Sequence, residues 1–156
     1  MRPILATSTT MMLLATQAAP DQAPAAHNYE PAQMQIWHSD RTFQPLSRTA
    51  QAITGAITIT DMTIKFGDAK TIDLQPIVMA WRDWDTTPGN ETAELFRLLA
   101  DPGTLRNSNT LCGDTPATFV ALYETQFGIG MSVFESKEHP FDANSPGLCG
   151  TYTYTK

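Results

Sequence analysis

Leu111-Cys112-Gly113 and Leu148-Cys149-Gly150-Thr151-Tyr152-Thr153-Tyr154-Thr155 bracket the last third of the chain and contain its only two cysteines. The second stretch alternates β-branched and aromatic residues, as a half-buried strand requires. Joined as one disulfide, the cysteines tie this terminal strand back to the strand region beginning near Thr118. Disulfides persist outside the reducing cytosol, so the pair points to export. Closing a loop of about 37 residues is worth ~3–4 kcal/mol in the chain-entropy account. The two cysteines lie far apart, with no CxxC and no paired histidines, so the zinc reading is poor and no metal or cofactor is expected.

Working outward, residues 117–123 and 129–135 alternate apolar side chains over two faces and read as strands. Residues 50–66 carry a clear period-two signal. Ile53, Ile57 and Ile59, then Met62, Ile64 and Phe66, are interleaved with Thr58, Thr60, Thr63 and Lys65. Gly55 inside this run implies a bulge or bend. Gly67-Asp68-Ala69-Lys70 is a hairpin turn. Ile72 and Leu74 continue the pattern until Pro76, which implies an edge or a bulge, and Ile77-Val78-Met79-Ala80-Trp81 resumes it. Residues 91–100 fit a short helix or a strand equally well, because a short apolar run does not separate the two. The fold class that follows is mostly β: a small antiparallel barrel or sandwich of about seven to eight strands, with at most one short helix near 91–100 and one disulfide. A barrel is favoured because closure removes sheet edges.

The domain reading has three parts. Residues 1–26 read as a signal peptide, with Arg2 at the start, Met11-Met12-Leu13-Leu14 in the apolar region and Ala-rich cleavage sites. Residues 27–33 are a flexible segment, and residues 34–156 form the barrel domain. Residues 33–38 would supply a first strand or a docking segment. The compartment implied is periplasmic or secreted. No later stretch approaches the ~18 apolar residues of a membrane span. Of 156 residues, 42% are hydrophobic and 17% charged, which supports a folded core, and the net charge is −6. That sign disfavours nucleic acid and favours a cationic partner.

Ser47-Arg48-Thr49-Ala50-Gln51-Ala52-Ile53-Thr54-Gly55, Glu94-Leu95-Phe96-Arg97, Asn109-Thr110-Leu111-Cys112-Gly113 and the Cys149-Gly150-Thr151 ending together resemble a group of uncharacterised exported bacterial proteins with paired Leu-Cys-Gly motifs. The resemblance covers most of residues 37–155 and implies no activity and no site residues. In size, export and single staple the chain is also similar, in architecture alone, to the small-barrel periplasmic lysozyme inhibitors. It has no copy of their inhibitory loop.

The most unusual local stretch is Trp81-Arg82-Asp83-Trp84-Asp85. On a strand, Trp81, Asp83 and Asp85 would share one face and Arg82 and Trp84 the other. With Trp37 these are the ligand-binding candidates, an aromatic and charged rim able to stack a sugar or grip a peptide. The plainer reading is a core tryptophan followed by a solvated loop. Asp83 and Asp85 would lie ~7 Å apart on a strand, a spacing compatible with an inverting glycosidase. Paired acids are too common for this to assign catalysis, and neither these two nor His38-Ser39-Asp40 shows the surroundings of a catalytic set. Asn90-Glu91-Thr92 is a glycosylation sequon, and His139 before Pro140 is a loop residue. No phosphate loop, dinucleotide motif or haem motif occurs. The expected function is a non-catalytic exported binding module, for example an inhibitor of a basic protein such as a lysozyme. The alternatives are a lipocalin-like carrier of a small apolar ligand and a secreted hydrolase using Asp83 and Asp85.

Overall fold

The computed structural model describes residues 41–60, 62–85 and 91–156. Eight strands follow in chain order: β1 Arg41–Pro45, β2 Ile57–Thr60, β3 Thr63–Phe66, β4 Thr71–Arg82, β5 Glu91–Leu98, β6 Phe119–Glu124, β7 Gly128–Phe134 and β8 Leu148–Thr155. Each pairs antiparallel with the next, and β8 returns to β1 through Gln44–Thr155 and Pro45–Tyr154, closing the barrel. The expected barrel is therefore present, with Cys112 bonded to Cys149. Pro76 sits at a register shift between Pro76 and Val78, so the bulge expected there is found.

Of the two readings left open for residues 91–100, the strand is the one found, and the short helix overlaps the run 50–66, where the sequence pattern predicts strand. Residues 91–98 are strand β5, and the helix is α1, Arg48–Ile53. Tertiary pairing decides β5: it lies between β4 and β6, with Ala93 and Leu95 buried on one face and Phe96 and Leu98 on the other. For α1 the local signals were the capping residues. Ser47 Oγ accepts the Ala50 N–H at 3.1 Å, and Gly55 stops the helix at φ +64° with its N–H on the Ala50 carbonyl. Gly55 is thus a helix stop rather than a strand bulge. The strand pattern expected from residue 50 starts at Ile57.

An up-and-down barrel sends its odd connections to one end. Here α1, the β3–β4 turn, the β5–β6 loop with Cys112 and the β7–β8 loop before Cys149 share that stapled end. The β2–β3, β4–β5 and β6–β7 connections, Arg41 and Lys156 lie at the opposite, rim end. Inward-facing Phe43, Ile57, Phe66, Leu74, Phe96, Leu122, Met131 and Tyr152 belong to one continuous core cluster. Ala50 of α1 and Leu105 and Leu111 of the β5–β6 loop join it, so the core extends into the stapled end.

A second cluster lies on the outer wall, where Leu95, Phe119, Ala121, Tyr123 and Phe134 pack with Trp84. Strands β5 to β7 therefore bury side chains on both faces, which explains the nearly unbroken apolar runs of β6 and β7. No helix among the described residues is long and apolar enough to cross a membrane.

Candidate functional site

Strand β4 ends at Arg82, so Trp81 and Arg82 lie on it and the three residues that follow, Asp83 to Asp85, do not keep strand alternation. Trp81 is 62% exposed at the rim end, and Trp84 is fully buried. Arg82 is exposed and donates from Nη1 to the Trp81 carbonyl at 2.7 Å. Trp84 is the packing tryptophan. Its indole N–H donates to the Ala80 carbonyl at 3.1 Å, and its ring meets Phe134 edge-on at 6.3 Å. Its backbone N–H donates to Glu91 Oε2 at 3.1 Å, and its carbonyl accepts from Ser132 Oγ at 2.7 Å. The half-buried Asp83 uses its carbonyl to accept the Ala143 N–H at 2.7 Å, tying the β7–β8 loop to this segment. Trp37 lies outside the described residues, as do His38, Ser39, Asp40 and Asn90.

Of the candidates, Asp85 is the one that lines a groove. The groove has a volume of about 580 Å³ and lies on the outer wall, rising to the rim end. Asp85, Glu91 and Glu124 form one side of it; Leu46 and Phe127 bring apolar surface, and Tyr123 and Thr153 lie between. No lysine, arginine or histidine lines it among the described residues. Phe127 is 58% exposed and Leu46 44% exposed, so both present their side chains to solvent.

The floor is built from the strands upward. Tyr123 packs its ring on Gly130, where an added Cβ would stand 2.2 Å from a ring carbon. Its hydroxyl meets Ser132 Oγ at 3.3 Å, and Ser132 in turn holds Trp84. Burial pushes the Tyr123 hydroxyl up to about 12, with the charges of Asp85 and Glu91 acting in the same direction. Glu91 thus has two connections: it caps the Trp84 N–H and adds charge to the groove. Asp83 does not line the groove, so the two aspartates are not gathered there as a catalytic pair.

Sequence reasoning missed Leu46, Glu91, Tyr123, Glu124 and Phe127. One signal was present: Phe127 stands in the turn Thr125-Gln126-Phe127-Gly128, where a large apolar residue has no core to enter. Another buried group lies on the inner wall. Glu94 is 2% exposed, and its register partner Leu122 belongs to the core cluster. No group of three or more His, Cys, Asp or Glu side chains able to hold a metal occurs among the described residues. No protein-family model matches the chain, and neither a curated protein nor a solved structure is significantly similar to it.

Proposed function

We propose that this chain is an exported, non-catalytic binding module that takes a cationic protein partner in the groove beside Asp85, Glu91 and Glu124. One observation carries the reading: three carboxylates line a concave surface that also offers exposed Phe127 and Leu46, and no cationic side chain lines it among the described residues. Charge attracts and orients a basic partner, and the apolar surface supplies contact area on docking. The chain's overall charge of −6 adds a long-range attraction of the same sign.

The disulfide supports an oxidising compartment, and a periplasmic or secreted location fits it. A basic hydrolase such as a lysozyme is a natural first partner to try. The carrier alternative has less support, because the inward-facing side chains of the described residues pack against one another as one cluster. The test is pull-down of basic proteins by the full chain at about 50 and 300 mM salt, where screening separates electrostatic from apolar capture. Capture that weakens with salt and with Glu124→Lys supports the module. Absence of any salt-sensitive basic partner sinks it.

A further inference from the structure

The groove is too wide for a single side chain to reach both its acidic residues and Leu46. Glu91 opens β5 and Glu124 closes β6, whereas Leu46 follows β1 and is held to β8 by its N–H on the Thr153 carbonyl at 2.8 Å. The order around the wall is β5, β6, β7, β8, β1. Strands stand ~4.8 Å apart, so three to four spacings place the acids ~14–19 Å from Leu46. An extended peptide advances ~3.3 Å per residue and crosses that distance in about four to six residues.

We propose that the occupant is an extended peptide segment of the partner, lying across β5 to β8. It carries a lysine or arginine at the Asp85, Glu91 and Glu124 side and an apolar side chain about four residues away on Leu46. The inference rests on the cationic-partner reading and adds a geometry to it. Charge complementarity fixes the polar end. Leu46, 44% accessible, fixes the other end. Phe127 stands at the β6–β7 turn between the two, where its ring can also lie under the aliphatic stem of the basic side chain. Between them Tyr123 is held from behind by Gly130 and Ser132, so the floor is preorganised.

The experiment uses the full chain and synthetic serine-based peptides. Each peptide bears one Lys-Lys pair and one leucine, spaced about one, four or seven residues apart. Binding is read by calorimetry and by amide chemical shifts. The four-residue spacing is expected to bind about tenfold tighter than the others, the gain from seating one apolar side chain. Its amide shifts are expected at Thr153 and Phe127 as well as at Glu124. Acetylating the lysines is expected to abolish binding. Leu46→Ser with Phe127→Ser, both at exposed positions, is expected to remove the spacing preference while leaving weak, salt-sensitive binding. Equal affinity at all spacings, or equal binding of oligolysine without leucine, overturns the proposal. So does capture of a basic protein by a chain that binds none of the peptides, an outcome that leaves the binding-module reading standing. Loss of all basic partners defeats both.

Discussion

Tyr152 and Tyr154 face into the barrel, and their hydroxyls hold two separate pieces of the stapled end. Tyr152 donates to the Leu111 carbonyl at 2.8 Å, and Tyr154 meets Thr54 Oγ1 at the foot of α1, also at 2.8 Å. Burial pushes the Tyr152 hydroxyl up to about 12 and that of Tyr154 higher still. The neutral form is thus favoured in the folded chain, and the sign of the pH effect follows. Stability from these groups is complete below pH 10, where unfolded tyrosine is also protonated, and falls as pH rises through the folded values. With Tyr123 included, the loss between pH 10 and 12 approaches ~4 kcal/mol per pH unit, about 1.4 for each tyrosine. Urea midpoints from pH 8 to 11.5 measure it. Tyr152→Phe should cost ~1 kcal/mol at neutral pH and reduce the alkaline slope by about one third; an unchanged slope refutes the assignment. The two tryptophans of the Trp81–Asp85 stretch give a second contrast. Trp84→Ala should cost ~3–5 kcal/mol in the same denaturation experiment, because the substitution removes a fully buried ring and its indole N–H bond to the Ala80 carbonyl. Trp81→Ala, at 62% exposure, should cost well under ~1 kcal/mol.

Among the elements, β2, β3, β6, β7 and β8 were legible because each combines β-branched residues with period-two burial or an apolar run bounded by turns. β5 was not, since its two buried faces erase the alternation that marks a strand. α1 was hidden by its brevity. Six residues do not make a stable helix in water, and this one is held by partners distant in sequence. Asn107 and Asn109 both donate from their side chains to the Ala52 carbonyl, near the helix end. The disulfide acts on the same assembly, joining the β5–β6 loop to the start of β8 across 37 residues. Replacing both cysteines by serine should cost ~3–4 kcal/mol. The damage should also be local at first. Amide exchange should accelerate in residues 99–118, in α1 and at the first residues of β8 before it does in β2, β3 or β6, which reach the core through strand pairing. Uniform acceleration along the chain would show that the staple acts on global unfolding alone.

At the scale of the whole molecule, the compositional sign was readable and the place where it acts was not. A net charge of −6 says that a basic partner is attracted, but not where. The site depends on Asp85, Glu91 and Glu124 meeting across the ends of three elements, and on Leu46 arriving from the other side of the barrel seam. The strand alternation that would have grouped Trp81, Asp83 and Asp85 ends where β4 stops, at Arg82. Overall charge and local groove can be separated by two substitutions of equal charge effect. Glu124→Lys and Glu138→Lys each move the net charge from −6 to −4, and both positions are exposed. Glu124 lines the groove, whereas Glu138 lies in the β7–β8 loop at the stapled end. If the groove is the docking site, Glu124→Lys should slow association with a captured basic protein by about tenfold or more at ~50 mM salt. Glu138→Lys should change it by no more than about twofold, because only the screened, distant field is altered. Raising salt to ~0.5 M should bring the three association rates together, since the Debye length then falls to a few ångströms. Stopped-flow association of wild type and both variants measures all of this directly. Equal slowing by the two substitutions would mean that the partner responds to total charge and docks elsewhere on the barrel.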